Sequence, residues 1–142
     1  MNSNTEKSVA RKPDPAEDGV THINIYSGGS TELGKMLSHF YFSPFVHPYL
    51  GPFNSMEGFW HWLKSVERPD ELRRLGGWKA KALGKQLTKR YLKNFSEIII
   101  AANFFKIQQN DAIKQALIES TLPFEHYYLF GPAKVQIQPD GA

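Results

Sequence analysis

From Thr21 the chain alternates, with Ile23 and Ile25 apolar and His22, Asn24 and Tyr26 between and beside them. A period of two predicts a strand, and the run Ser27-Gly28-Gly29-Ser30 ends it. LSHFYFSPFVHPYLGPF follows, aromatic-rich and broken by Pro44, Pro48 and Pro52. Prolines at that density disfavour a helix, so short extended pieces and loops are predicted, a natural place for a binding wall. Helical spacing begins at SMEGFWHWLK. Asn54 or Ser55 can cap a helix running to about Ser65, with Glu57 in its first turn, where negative charge is favoured. PDELRRL predicts a second helix after Pro69, stopped by Gly76-Gly77, and WKAKALGKQLTKR a third. In YLKNFSEIIIAANFFKIQQ the apolar residues Ile98, Ile99, Ala102 and Phe105 recur at helical intervals. Its Ile98-Ile99-Ile100 run also suits a strand, and length decides for a fourth helix. DAIKQALIEST gives a fifth, starting at Asn110 or Asp111 and ending before Pro123. AKVQIQPDGA holds one short alternating piece. Together these predict a predominantly helical α+β domain with a few short strands over residues 21 to 142. Residues 1 to 20 are polar, carry Pro13 and Pro15, and have too little to bury, which predicts a disordered arm.

Composition narrows the chemistry. At 142 residues and 41% hydrophobic, one domain with one core of moderate size is expected. No stretch of about 18 apolar residues exists to span a bilayer, and the start lacks the apolar segment of a secretion signal. A cytoplasmic protein without a membrane partner is therefore expected. The sequence has no cysteine, which excludes disulfides, thiolate catalysis and zinc sites built on sulfur. Histidines at 22, 39, 47, 61 and 126 lack metal-ligand spacing, and phosphate-loop, dinucleotide and serine-hydrolase motifs are missing, so neither metal nor cofactor is expected. Net charge is only +3, yet between Arg73 and Lys93 there are eight Lys or Arg residues and no acid. Such a stripe attracts phosphate, on a nucleotide or on a nucleic-acid backbone; the plainer alternative is a solvated helix face.

On a helix from Ser55 to Ser65, Glu57, His61 and Lys64 fall within an arc of roughly 60°, beside an apolar arc of Met56, Phe59 and Leu63, with Trp60 between. Glu57 and Lys64 are then about 10.5 Å apart along the axis, a span that a sugar-sized group could bridge. The competing reading is a salt-bridged surface stripe in which Glu57 and His61 form an i,i+4 pair worth a few tenths of a kcal/mol. LPFEHYYLFG adds Glu125 and His126 among Phe124, Tyr127, Tyr128 and Phe130. Pointing inward, Glu125 would be desolvated and suited to acid or base work, and the two carboxylates could divide those roles. Alternatively Glu125 caps a turn and His126 is exposed.

Taken in order, INIYS, LSHFYFSPF, GPFNSMEGFWHWLK, KALGK, KIQQN, LIEST and FEH resemble the successive motifs of the NADAR (YbiA-like) superfamily over about residues 23 to 130. The resemblance implies a compact, mostly helical α+β domain that cleaves N-glycosidic bonds to ribose. Its substrate would be ADP-ribosylated guanine in nucleic acid or a ribosylamino-pyrimidine related to riboflavin synthesis. Glu57 matches the glutamate after the serine of the family's helix start, Lys64 the lysine seven residues on, and Glu125 its second glutamate. Gln109 and Asn110 match a polar pair opening the last helix. The chain departs from the family at His39, where Asn is usual, at Gly58-Phe59, where His and an aromatic are usual, and after Glu125, where Phe130-Gly131 replace a Trp-Gly segment. Glu57, Lys64 and Glu125 are thus the expected catalytic residues. Binding roles are expected for His39, Phe40, Ser55, Trp60, His61, Lys81, Lys85, Gln109, Asn110, His126 and Tyr127. Either an acid and an activated water, or an imine on Lys64, could break the bond. A module that binds ADP-ribose, a related nucleotide or nucleic acid without catalysis is the alternative from another functional class.

Overall fold

The computed structural model describes residues 12–129 and the strand at 135–137. The first eleven residues of the expected arm, Phe130-Gly131 and the C-terminal tail lie outside the described residues. The chain is engaged before Thr21. Asp14 caps a 3-10 turn, Pro15–Glu17, and the Asp18 carboxylate accepts from the amides of Asn24 at 2.9 Å and Ser30 at 2.8 Å. Strand β1, Ile23–Asn24, pairs in parallel with β4, Phe124–Glu125. Both β1 side chains are buried, so its alternation is not one of core against solvent. The inward Asn24 amide is satisfied by the backbone of Tyr127, whose N–H and C=O it meets at 3.0 and 3.1 Å.

Helix α1, Glu32–Leu37, is capped by Thr31 and is too short for its period to show in the sequence. The proline-broken aromatic segment forms an antiparallel hairpin of β2, Phe42–His47, and β3, Gly51–Ser55. Gly51, at φ +90°, makes its turn. Ser43 and Phe45 face inward and Phe42, Pro44 and Val46 outward, as a half-buried strand requires. Helix α2, Met56–Lys64, starts where expected because Ser55 Oγ accepts from the Gly58 amide at 3.0 Å.

Two expected helices come out shorter. PDELRRL makes only a 3-10 turn, Asp70–Arg73, whose N-cap, Pro69, supplies no side-chain cap, in contrast to Thr31 at the short helix α1. Helix α3, Gly77–Lys85, ends before the expected Arg90 because Thr88 and Lys89 are drawn onto the chain after α2: Thr88 binds the Glu67 carboxylate and Lys89 bridges Ser65. Helices α4, Phe95–Gln108, and α5, Asp111–Glu119, complete the helical part, and β5, Tyr127–Leu129, pairs antiparallel with β6, Val135–Ile137.

The larger core packs Phe45 and Phe53 of the hairpin, Met56, Phe59, Trp62 and Leu63 of α2, Leu72, Ala80, and Ile99 and Ala102 of α4. A smaller one joins Leu33 and Met36 of α1 to Ile113 of α5. Helix α2 is enclosed by β3, the 3-10 turn, α3 and α4, more completely than a two-faced helix would be. Gly84 of α3 lies so close to the His61 ring that a Cβ there would overlap it. The result is a compact, mostly helical α+β unit. Among the described residues no helix is long and apolar enough to cross a membrane.

Candidate functional site

Glu57 sits in the first turn of α2, its side chain 15% exposed. Its amide donates to the His39 carbonyl at 2.9 Å, tying the turn between α1 and β2 to the start of α2. Its Oε2 meets His61 Nε2 at 3.0 Å. His61 is buried, and its Nδ1 packs against Gly84 with no hydrogen-bond partner among the described residues. The tautomer that satisfies the carboxylate carries its proton on Nε2, so His61 holds and orients Glu57 from behind. A merely solvated pair would leave both side chains free to rotate; this one is clamped.

Facing Glu57 is His39, on the same turn. Its Nε2 lies 3.3 Å from Asn103 Nδ2 of α4, a nitrogen that can only donate, so Nε2 accepts and Nδ1 carries the proton. Burial, reinforced by the Lys106 cation and opposed by Glu57, pulls the His39 pKa down to about 4, and the ring is neutral at pH 7. His126 also acts on it. His126 Nδ1 bonds the Ile25 carbonyl at 2.6 Å and its ring meets Tyr128 edge-on at 5.3 Å. Tyr128 in turn lies 5.6 Å from Tyr26. Burial first, then Glu57 and Tyr26, raise its phenol above the usual range and keep it protonated. Glu57 thus acts on both His39 and Tyr128, and His126 on His39, which gathers these side chains where α2, the 38–41 turn and β5 meet.

Lys106 is the member that the sequence reading missed. It is 1% exposed, donates to the Ser38 carbonyl at 2.9 Å, and burial lowers its pKa to about 7. By holding Ser38 it fixes the turn that carries His39 and Phe40. A signal was present: with Ile99 and Ala102 it makes an i, i+3, i+7 set, the buried face of α4. Asn103, one turn after Ile99, and Tyr26 and Tyr128 were not singled out either.

The other expected residues divide. Glu125 is exposed, not inward: both residues of β4 lie at the surface although β1, with which they pair, is buried. Its expected desolvation is therefore corrected. Lys64 is two turns from Glu57 at the far end of α2, its Nζ 4.3 Å above the ring of Phe95. Trp60 meets the same Phe95 edge-on at 5.2 Å and lies half-buried. Ser55 is spent on capping α2 and on the Leu75 carbonyl. Gln109 clamps both backbone groups of Val46, at 2.8 and 3.0 Å, and Asn110 caps α5 while bonding Ser43 Oγ. Those amides brace the hairpin. Tyr127 is 1% exposed, with its hydroxyl 2.6 Å from His22 Nε2, so it is core and has no face to offer a base. Phe40 is half-buried and touches Trp78 edge-on at 5.1 Å, and Lys81 Nζ stands 5.0 Å from the Trp78 ring centroid. Lys81 and Lys85 lie on α3. Arg73 leaves the basic stripe: its guanidinium donates to Leu50 and Pro52 carbonyls over the rings of Phe53 and Trp62.

A separate groove of about 370 Å³, lined by His47, Tyr49, Glu97, Ile98, Ala101 and Phe105, occupies the side of α4 turned away from Asn103. Glu57, His39, His126 and Tyr128 do not line it. No family model, curated protein or solved structure matches the chain.

Proposed function

We propose that the chain hydrolyses an N-glycosidic bond to ribose, and that its substrate is ADP-ribose carried on guanine bases of nucleic acid. The observation that supports this is the clamped Glu57: a carboxylate gripped by His61 and close enough to neutral His39 and protonated Tyr128 to act on both. Breaking such a bond needs water activated at the anomeric carbon and a proton for the departing nitrogen. Glu57 takes the proton of the attacking water as the new C–O bond forms. The C–N bond breaks, and the leaving nitrogen receives a proton from a donor of the wall, of which the Tyr128 phenol is the best placed to hold one at pH 7. His39 Nδ1 can donate to the ribose or the base. An imine route would require the ribose carbon to reach Lys64, whose backbone lies about 10 Å along the helix from that of Glu57 and whose Nζ sits over Phe95. The carboxylate-led route is therefore preferred.

One observation favours a second reading, a module that binds ADP-ribose or nucleic acid without cleaving it: the second carboxylate, Glu125, faces solvent. Presenting ADP-ribosylated guanine DNA, ADP-ribosylated protein and a ribosylamino-pyrimidine phosphate side by side separates these. Release from the first alone supports the proposal, release from the third alone moves the substrate to a riboflavin-pathway intermediate, and binding without product in all three supports the module.

A further inference from the structure

Helix α3 carries a face that the Glu57 cluster does not use. Ala80 and Gly84 are buried, Gly84 directly on His61, and this fixes which side of the helix looks outward. On that side Trp78, Lys79 and Lys85 are exposed and half-buried Lys81 lies at the margin; Trp78, Lys81 and Lys85 fall within about 60° of one another. Trp78 is 72% exposed, an unusual setting for the largest apolar side chain. Beyond the helix Tyr91 is 83% exposed between Arg90 and Lys93. Among the described residues the ion pairs join Glu57 to His61 and Asp70 to Arg73, and none engages a lysine of α3. Glu67, the acid nearest the far end, is bound to Thr88. Through Phe40 the Trp78 ring continues into the turn that bears His39.

We propose that this face is a docking track for single-stranded nucleic acid, with Trp78 as the platform on which a base stacks and Lys81 and Lys85 as its phosphate contacts. An exposed indole beside lysines that have no acidic partner, with Lys81 Nζ over part of the ring, fits a strand whose bases are free to stack, because every base has a π-face and a duplex hides it. A duplex would use the lysines and leave the indole idle. A membrane-surface helix would segregate tryptophan and lysine onto opposite faces, and here they share one. The track stands on this face alone. It also deepens the catalytic proposal, since a strand lying on Trp78 would run past Phe40 toward Glu57.

The test is fluorescence anisotropy of a labelled, unmodified 15-mer of single-stranded DNA and its RNA counterpart, titrated with the full chain at 50 and 200 mM salt. Expected are saturable binding of at least one strand and a loss of about 5- to 100-fold in Trp78→Ala. Lys81→Ala/Lys85→Ala should flatten the dependence of log affinity on log salt by about 1.4, two phosphate contacts' worth. Lys114→Ala, which removes an exposed charge on α5, should bind like the parent. Absence of binding at 50 mM salt would overturn the track. So would equal binding by Trp78→Ala, duplex DNA bound as tightly as single strands, or anionic vesicles bound with the same tryptophan dependence. Binding that survives while no ADP-ribose is ever released would sink the catalytic proposal alone. ADP-ribose release by a chain that shows no strand binding at 50 mM salt would sink the track alone.

Discussion

The buried amine of Lys106 makes stability depend on pH in a way that one substitution should erase. The folded protein binds the Lys106 proton only below a pH of about 7, whereas an unfolded chain binds it below 10.5. Between those limits the unfolded state holds more protons, so stability rises with pH, by up to about 1.4 kcal/mol per unit where the difference is one full proton. From pH 7 to 9.5 this sums to on the order of 3 kcal/mol. Lys106→Met keeps the length and most of the volume of the side chain and removes the titration. It also leaves the Ser38 carbonyl without its donor, a loss of about 1–3 kcal/mol that does not vary with pH. Urea unfolding of both proteins at pH 7.0, 8.0, 9.0 and 9.5 separates the two effects. The parent should gain on the order of 3 kcal/mol more than the variant across the series. Parallel curves would mean that the amine titrates as it does in water, and would refute its placement against the 38–41 turn.

Other consequences are open to direct measurement. Gly84→Ala pushes a methyl group into the His61 ring, so thermal unfolding should show a loss of about 2–4 kcal/mol, with Glu57-dependent activity falling alongside; unchanged melting would mean the two helices are further apart. Tyr127→Phe leaves the buried His22 Nε2 without its 2.6 Å partner and should cost about 1–3 kcal/mol by chemical denaturation, whereas a role in base stacking would instead raise KM at constant stability. Borohydride added during turnover should leave the intact mass unchanged, and a reduced sugar adduct mapping to Lys64 would restore the imine route.

Much of the fold could be read from the sequence because local rules dominate where they are strongest. Ser55 announces α2, Asn110 announces α5, and alternation through Ser43 and Phe45 suits the hairpin. Short elements were illegible: α1 is shorter than two turns, and the Asp70–Arg73 turn borrowed the acids and proline of a longer helix. At the site, the pairing of Glu57 with His61 followed from helical spacing alone, and its meaning did not. That meaning depends on Gly84 closing behind the imidazole and on the 38–41 turn arriving in front, both contacts between distant segments. Lys106 was hidden because a lysine near a helix end reads as solvated unless its neighbours on the same face are examined. Glu125 misled for the opposite reason: its aromatic surroundings in sequence are not its surroundings in space, since Phe124 and Glu125 both stay at the surface while Tyr127 is buried.

The central claim, that a clamped Glu57 drives hydrolysis of an N-ribosyl bond, is tested most directly by quantifying free ADP-ribose released from an ADP-ribosylated guanine oligonucleotide by the parent protein and by Glu57→Gln. The account predicts steady release by the parent and a loss of about 100-fold or more in the variant, with its melting temperature held within a few degrees. Release at the parental rate by Glu57→Gln, or no release by the parent from any N-ribosyl substrate, would contradict it.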